Sequence, residues 1–133
     1  MKYKLIQKLN PLDPEAERKW YASPVKEGTI NNYQLSKKIA GLSSLTRGDV
    51  INVIENMIDE IPQFLMEGYS VNLDNLGTLR LSISSEGTDK PDNFSSENIT
   101  GRKVVFTPSP EFKRTLKSIH FEKSDIKEGG KKT

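Results

Sequence analysis

The chain has 133 residues, a formal net charge of +2, an apolar fraction of 34% and no cysteine. One domain is the expectation at this length, with a small core that a partner subunit would help to complete. The lack of cysteine excludes a disulfide framework and a thiolate metal site and fits a reducing compartment. The start MKYKLIQKLN is too polar for a signal peptide, and no apolar run nears the roughly 20 residues of a membrane span, so a soluble cytoplasmic protein is expected.

In chain order, residues 2–9 place Tyr3, Leu5 and Leu9 at a period of two, with Lys2, Lys4 and Lys8 on the opposite, exposed face. That pattern predicts a strand. Pro11, Asp13 and Pro14 break it, and residues 18–26, with Trp20 and Tyr21, read as a second strand pairing with the first in a hairpin. Asn31 or Asn32 can cap a short helix through Ala40, with Leu35, Ile39 and Ala40 as its buried stripe. Thr46 followed by Asp49 is a capping pattern for the helix that carries Val50, Val53, Ile54, Met57, Ile58, Ile61, Phe64 and Leu65 up to Gly68. Pro62 sits inside that helix, where it removes one backbone bond and is expected to bend the last turn.

After Gly68 the period changes to two. Val71 and Leu73, then Leu79, Leu81 and Ile83, flank a turn at Asn75–Gly77, and Lys103–Phe106 predict a third strand. Ser109 and Pro110 open a closing helix with Phe112, Leu116 and Ile119 on one face. The end, SDIKEGGKKT, reads as a disordered tail. The domain expectation is an N-terminal hairpin extension over 1–30, a body over 31–122 and a tail over 123–133. Charge is unevenly spread: the net values over 1–30, 31–84, 85–101 and 102–133 are +2, −2, −3 and +5.

Five short stretches, in order, resemble the HU/IHF family of bacterial histone-like proteins. These are Ala40-Gly41-Leu42-Ser43, Glu67 through Leu73, Leu76-Gly77-Thr78-Leu79, Lys103 through Pro108, and Phe112-Lys113 through Leu116-Lys117. With the added hairpin, the chain looks like the HU-related subfamily common in Bacteroidetes. The resemblance implies an α+β fold: a helical dimer base and a three-stranded antiparallel sheet with a β-arm over 84–101, plus the N-terminal β-hairpin. It implies a homodimer or a dimer with a paralogue, with Val50, Ile54, Met57, Ile58, Ile61, Phe64, Leu76, Leu79 and Phe106 in its core. It further implies minor-groove binding of duplex DNA, with Pro91 near the position of the family's wedge proline.

The arm differs from the family's basic arm, because Glu86, Asp89, Asp92 and Glu97 oppose phosphates and forfeit counterion release. The DNA contacts are therefore expected on the body, at Arg80, Arg102, Lys103, Lys113, Arg114 and Lys117. On the residues alone Pro91 suits a turn-forming position in a loop better than a wedge, and Phe94 nearby could intercalate, stack on the body or pack in a partner. The second helix, with Asp49, Glu55, Asp59 and Glu60, is unsuited to a phosphate-walled groove. His120 is the only histidine and no nucleophile, P-loop or dinucleotide pattern accompanies it, so neither enzyme activity, cofactor, metal nor small-molecule substrate is expected. The expected function is a sequence-tolerant, nucleoid-associated DNA-binding dimer. The competing expectation is a protein-interaction module that keeps the fold and dimer while its acidic arm serves another partner.

Overall fold

A computed structural model describes residues 1–125, which divide into two compact units. The tail expected over 123–133 lies mostly outside the described residues. The first unit joins residues 1–29 to the segment from Ser118 onward, and the second spans Ile30–Lys117.

In the first unit, β1 (Lys2–Lys8) pairs antiparallel with β2 (Lys19–Pro24) in the register Lys8↔Lys19, Ile6↔Tyr21, Tyr3↔Pro24. The hairpin expected from the alternating pattern is present, but Leu9 lies beyond the strand and is exposed. The closing helix was expected to carry Ile119. Instead the chain leaves helical structure and forms a short strand, β6, at Glu122–Lys123, paired parallel with Lys2 and Tyr3. The result is a three-stranded sheet of order β2-β1-β6 built from both ends of the chain.

The second unit opens with α1 (Asn32–Gly41). Asn31 is its N-cap: its side chain accepts from the Gln34 N–H at 2.9 Å, and Gln34 returns the bond to the Asn31 N–H at 3.1 Å. The second helix, α2 (Arg47–Met66), starts with the same reciprocal arrangement between Thr46 and Asp49. It runs through Pro62 and ends in a Schellman closure. Gly68 takes φ +93°, its N–H donates to Leu65 and the Tyr69 N–H donates to Phe64. The Phe64 and Tyr69 rings meet edge-on at 6.2 Å across that turn.

Strands β3 (Val71–Asn72), β4 (Gly77–Ser85) and β5 (Ile99–Pro108) form the second sheet, antiparallel throughout, and α2 packs on β3 and β4. Leu73 falls in the turn rather than the strand, where its N–H donates to the Gly77 carbonyl. The third strand is longer than the expected 103–106 because its pairing with β4 continues to Ser85↔Ile99. The last helix, α3 (Pro110–Leu116), is capped by Ser109, whose hydroxyl oxygen accepts from the Phe112 N–H at 3.0 Å. The same hydroxyl donates to the Asn75 carbonyl, and the Ser109 N–H donates to Leu76, so the cap also fastens the β3–β4 turn.

The buried apolar core of the described chain is small: Val50 and Leu65 are the buried hydrophobic side chains, beside Ser36. The stripe expected to be buried on α1 is not, since Leu35 and Ile39 are 45% and 37% exposed. Those two residues instead line an open apolar groove of about 560 Å³ with Ile54, Met57, Ile58, Ile61 and Pro62.

Candidate nucleic-acid interface

Strand parity decides which cations share a surface. In the β4–β5 ladder Arg80 stands opposite Val105, Ser82 opposite Lys103 and Ser84 opposite Gly101. Side chains alternate between faces along a strand, so Arg80 and Lys103 project from one face on adjacent strands. Arg102 stands opposite Ile83, on the other face, among Leu79, Leu81, Val104 and Phe106. The contiguous pair Arg102–Lys103 of the sequence is therefore divided between the two sides of the sheet.

Lys113 on α3 and Lys117 at its C-cap are four residues apart and both exposed. Arg114, one residue off that line, is held in an ion pair with Glu111 three residues earlier. Arg47 is also engaged: its guanidinium lies 4.6 Å from the Tyr33 ring centroid and donates to the Tyr33 hydroxyl at 2.8 Å. That contact fastens the start of α2 to α1. Asp49 beside it is held below its ordinary carboxylate pKa, first by the Thr46 hydroxyl and then by the Thr46 backbone N–H.

The arm is short. Beyond Ser85 and Ile99 the strands no longer pair, and residues 86–98 fold into a closed loop with two 3-10 turns, Pro91–Asn93 and Ser96–Asn98. The Glu86 N–H donates to the Asn98 carbonyl at 2.8 Å and closes its base. Pro91 occupies the first position of the first turn, where its fixed φ suits it, and is exposed. Phe94 follows directly, 42% exposed. The same loop carries four carboxylates, at Glu86, Asp89, Asp92 and Glu97, with Lys90 as its sole cation.

Of the residues expected in a dimer core, Val50 is already buried within one chain. Met57, Ile58, Phe64, Leu76 and Phe106 are between 40% and 49% exposed, while Ile54, Ile61 and Leu79 are half-buried. Among the described residues no group of three or more histidine or carboxylate side chains is placed to hold a metal ion. Nor is any described helix long and apolar enough to cross a membrane.

Residues 1–123 match the family described as an HU domain fused to a wHTH, Ig or glycine-rich motif. No curated protein matches the chain. Among solved structures, a candidate bacterial DNA-binding protein from Bacteroides vulgatus ATCC 8482 superposes with a TM-score of 0.61 at 16% identity. That match covers 92% of this chain and 47% of the other, so this chain spans about half of that protein's length. Anabaena HU, from a cocrystal with DNA, superposes with a TM-score of 0.52 at 16% identity, over 68% of this chain and all of that one. At such identities the two superpositions establish the fold.

Proposed function

The chain belongs to the family of HU domains fused to wHTH, Ig or glycine-rich motifs, and we propose that it is a histone-like protein binding duplex DNA with little sequence preference. It acts as a dimer in the nucleoid of a bacterial cytoplasm. The observation that carries the reading is an HU-type sheet bearing Arg80 and Lys103, both exposed, on the same face. Lys113 on α3 and Lys117 at its C-terminal cap add two further phosphate contacts. Arg102 and Arg114 contribute less, the first because it projects from the apolar side and the second because Glu111 already neutralises it.

Dimerisation follows from what one chain leaves exposed. Two buried hydrophobic side chains do not offset the conformational entropy of a folded domain, whereas a second copy laid on the α1–α2 groove covers Met57, Ile58 and their neighbours. Bending is weaker than a basic arm would give, because a loop carrying four carboxylates is repelled by the phosphates that flank the minor groove. Pro91 is the loop residue suited to meet a base step.

Fluorescence anisotropy with a short duplex and its gapped counterpart, each over a salt series, tests this reading. Micromolar or tighter binding that weakens steeply with salt is expected. Absence of binding near 50 mM salt by a dimeric protein would overturn it in favour of a protein-interaction module using the same fold.

A further inference from the structure

In the first unit every charged residue on β1 and β2 is a lysine, and all of them lie on one face. Lys2, Lys4 and Lys8 alternate with Tyr3, Leu5 and Gln7 along β1. The register places Lys19 directly opposite Lys8, Tyr21 opposite Ile6 and Ser23 opposite Lys4, all on that same face. The Lys8 ammonium lies 5.7 Å from the Tyr21 ring centroid. Lys2, Lys8 and Lys19 are exposed and Lys4 is half-buried.

Neither β1 nor β2 itself carries an acid. Asp13 and Glu15 lie in the β1–β2 connection; Glu17 lies there too and shares a groove of about 460 Å³ with Lys8, Lys19 and Tyr21. Among the described residues, Glu122, opposite Lys2 on β6, is the one carboxylate paired onto the cationic face.

Two like charges at directly opposed positions of an antiparallel pair destabilise it, and Lys8↔Lys19 is such a pair. Glu122 opposite Lys2 and Glu17 beside Lys8 and Lys19 offset part of the charge of four lysines, and the positive excess that remains is one an anionic ligand would relieve. Lysines two apart on a strand are separated by about 6.8 Å, close to two phosphate rises at 3.4 Å per step along one strand, and Lys2 to Lys8 span about 20 Å. Tyr21, exposed beside the Lys8 ammonium, offers an apolar and hydrogen-bonding surface to a sugar or an unstacked base.

We propose that the lysine face of the β1–β2 hairpin is a second nucleic-acid contact surface, engaging the phosphate backbone of the duplex independently of the HU-type sheet. The inference rests on the DNA-binding reading above and assigns the hairpin a share of that affinity.

The full-length protein tests it, with two sets of variants carrying four substitutions each. One changes Lys2, Lys4, Lys8 and Lys19 to Gln, and the other changes Arg80, Lys103, Lys113 and Lys117 to Gln. Loss of the hairpin cations is expected to lower the slope of log K against log salt by about 3 to 4. A photo-crosslinker attached to a single cysteine at Lys8 (K8C) is expected to label a duplex. The chain has no other cysteine, so labelling is confined to that position even if the fourfold variant fails to fold. An unchanged slope in a folded hairpin variant, or no cross-link from position 8 under saturating duplex, would overturn the inference while leaving the body contacts standing. A cross-link suppressed by anionic phospholipid vesicles but not by excess duplex would also overturn it, in favour of a membrane surface. Salt-dependent binding lost only in the hairpin variant would support it and displace the body assignment instead. No binding by the unmodified protein would overturn the broader reading along with it.

Discussion

Arg80 and Lys103 lie on adjacent strands of the β4–β5 ladder and on the same face, with Lys103 opposite Ser82, two residues beyond Arg80. Each can neutralise one phosphate, and each phosphate neutralised adds about 0.9 to the slope of log K against log salt. Changing both to Gln is expected to reduce that slope by about 2 in an anisotropy titration. Arg102→Gln should leave it nearly unchanged, since Arg102 stands opposite Ile83 on the apolar side. A larger loss at Arg102 than at the pair would show that the apolar side faces DNA.

Gly77 is a tight position of the second sheet, hemmed in by backbone as well as by a ring. Its φ is +156°, and a Cβ placed there would lie 2.5 Å from both the Phe106 ring and the Thr107 carbonyl oxygen. An alanine must therefore displace β5 backbone and an aromatic ring while holding a strained dihedral. Overpacking and backbone strain together predict that Gly77→Ala destabilises the fold by about 3 kcal/mol. Urea unfolding followed by circular dichroism checks this. A variant within 0.5 kcal/mol (on the order of an ordinary surface substitution) would mean the β3–β4 turn is looser than its geometry.

Much of this was legible in the sequence, for local reasons. The caps at Asn31, Thr46 and Ser109 depend on one side chain and the next three residues, and all three form. The change of period after Gly68 marks the passage from helix to sheet, because it reflects burial of one face within a single element. Strand β6 could not be read in this way. Two residues, Glu122 and Lys123, pair with Lys2 and Tyr3 from the other end of the chain, and neither stretch carries a pattern announcing the other. The split between Arg102 and Lys103 is implicit in strand parity, but adjacency in sequence points to one patch and only the β4–β5 register assigns each residue its face. Periodicity puts Leu35 and Ile39 on one apolar face of α1, because it reports which residues share a face. It does not tell what covers that face.

The groove between α1 and α2 leads to a prediction about concentration. If a second copy covers Leu35, Ile39, Met57 and Ile58, folding and association are linked, and Tm must rise with protein concentration. Ile58→Glu places a charge in that groove and is expected to abolish the dimer in sedimentation and to unfold most of the chain at room temperature. A concentration-independent Tm with a folded, monomeric Ile58→Glu protein would remove the case for a partner at this surface.

Asp49 sets an acid dependence whose sign is fixed. Hydrogen bonds from Thr46 hold its folded-state pKa below the ordinary value of 3.8, so the ionised form favours the folded state. That contribution is fully present above the unfolded value and is lost as pH falls through the folded one. Asp49→Asn should therefore be less stable than the unmodified protein at pH 7, with the difference shrinking below about pH 4. Denaturant unfolding at pH 7 and pH 3 compares the two. A difference that widens on acidification would contradict the cap's role.

The loop at the end of the arm separates repulsion from irrelevance. Glu86, Asp89, Asp92 and Glu97 share a closed loop with Pro91 and Phe94, and none of the four carboxylates is paired with a cation in it. If this loop approaches the duplex, neutralising the carboxylates (Glu86→Gln, Asp89→Asn, Asp92→Asn and Glu97→Gln together) removes a repulsion that weakens with salt. Affinity should then rise most at low salt, by about tenfold near 50 mM, with little change near 300 mM. Pro91→Ala in that neutralised background should reduce any preference for gapped over intact duplex, because an inserted wedge draws its energy from a step that unstacks readily. Affinity unaffected by charge at every salt concentration would mean the loop stays clear of the DNA. In that case Pro91 is a turn residue alone, and the duplex is held entirely by the lysine and arginine faces of the two sheets and α3.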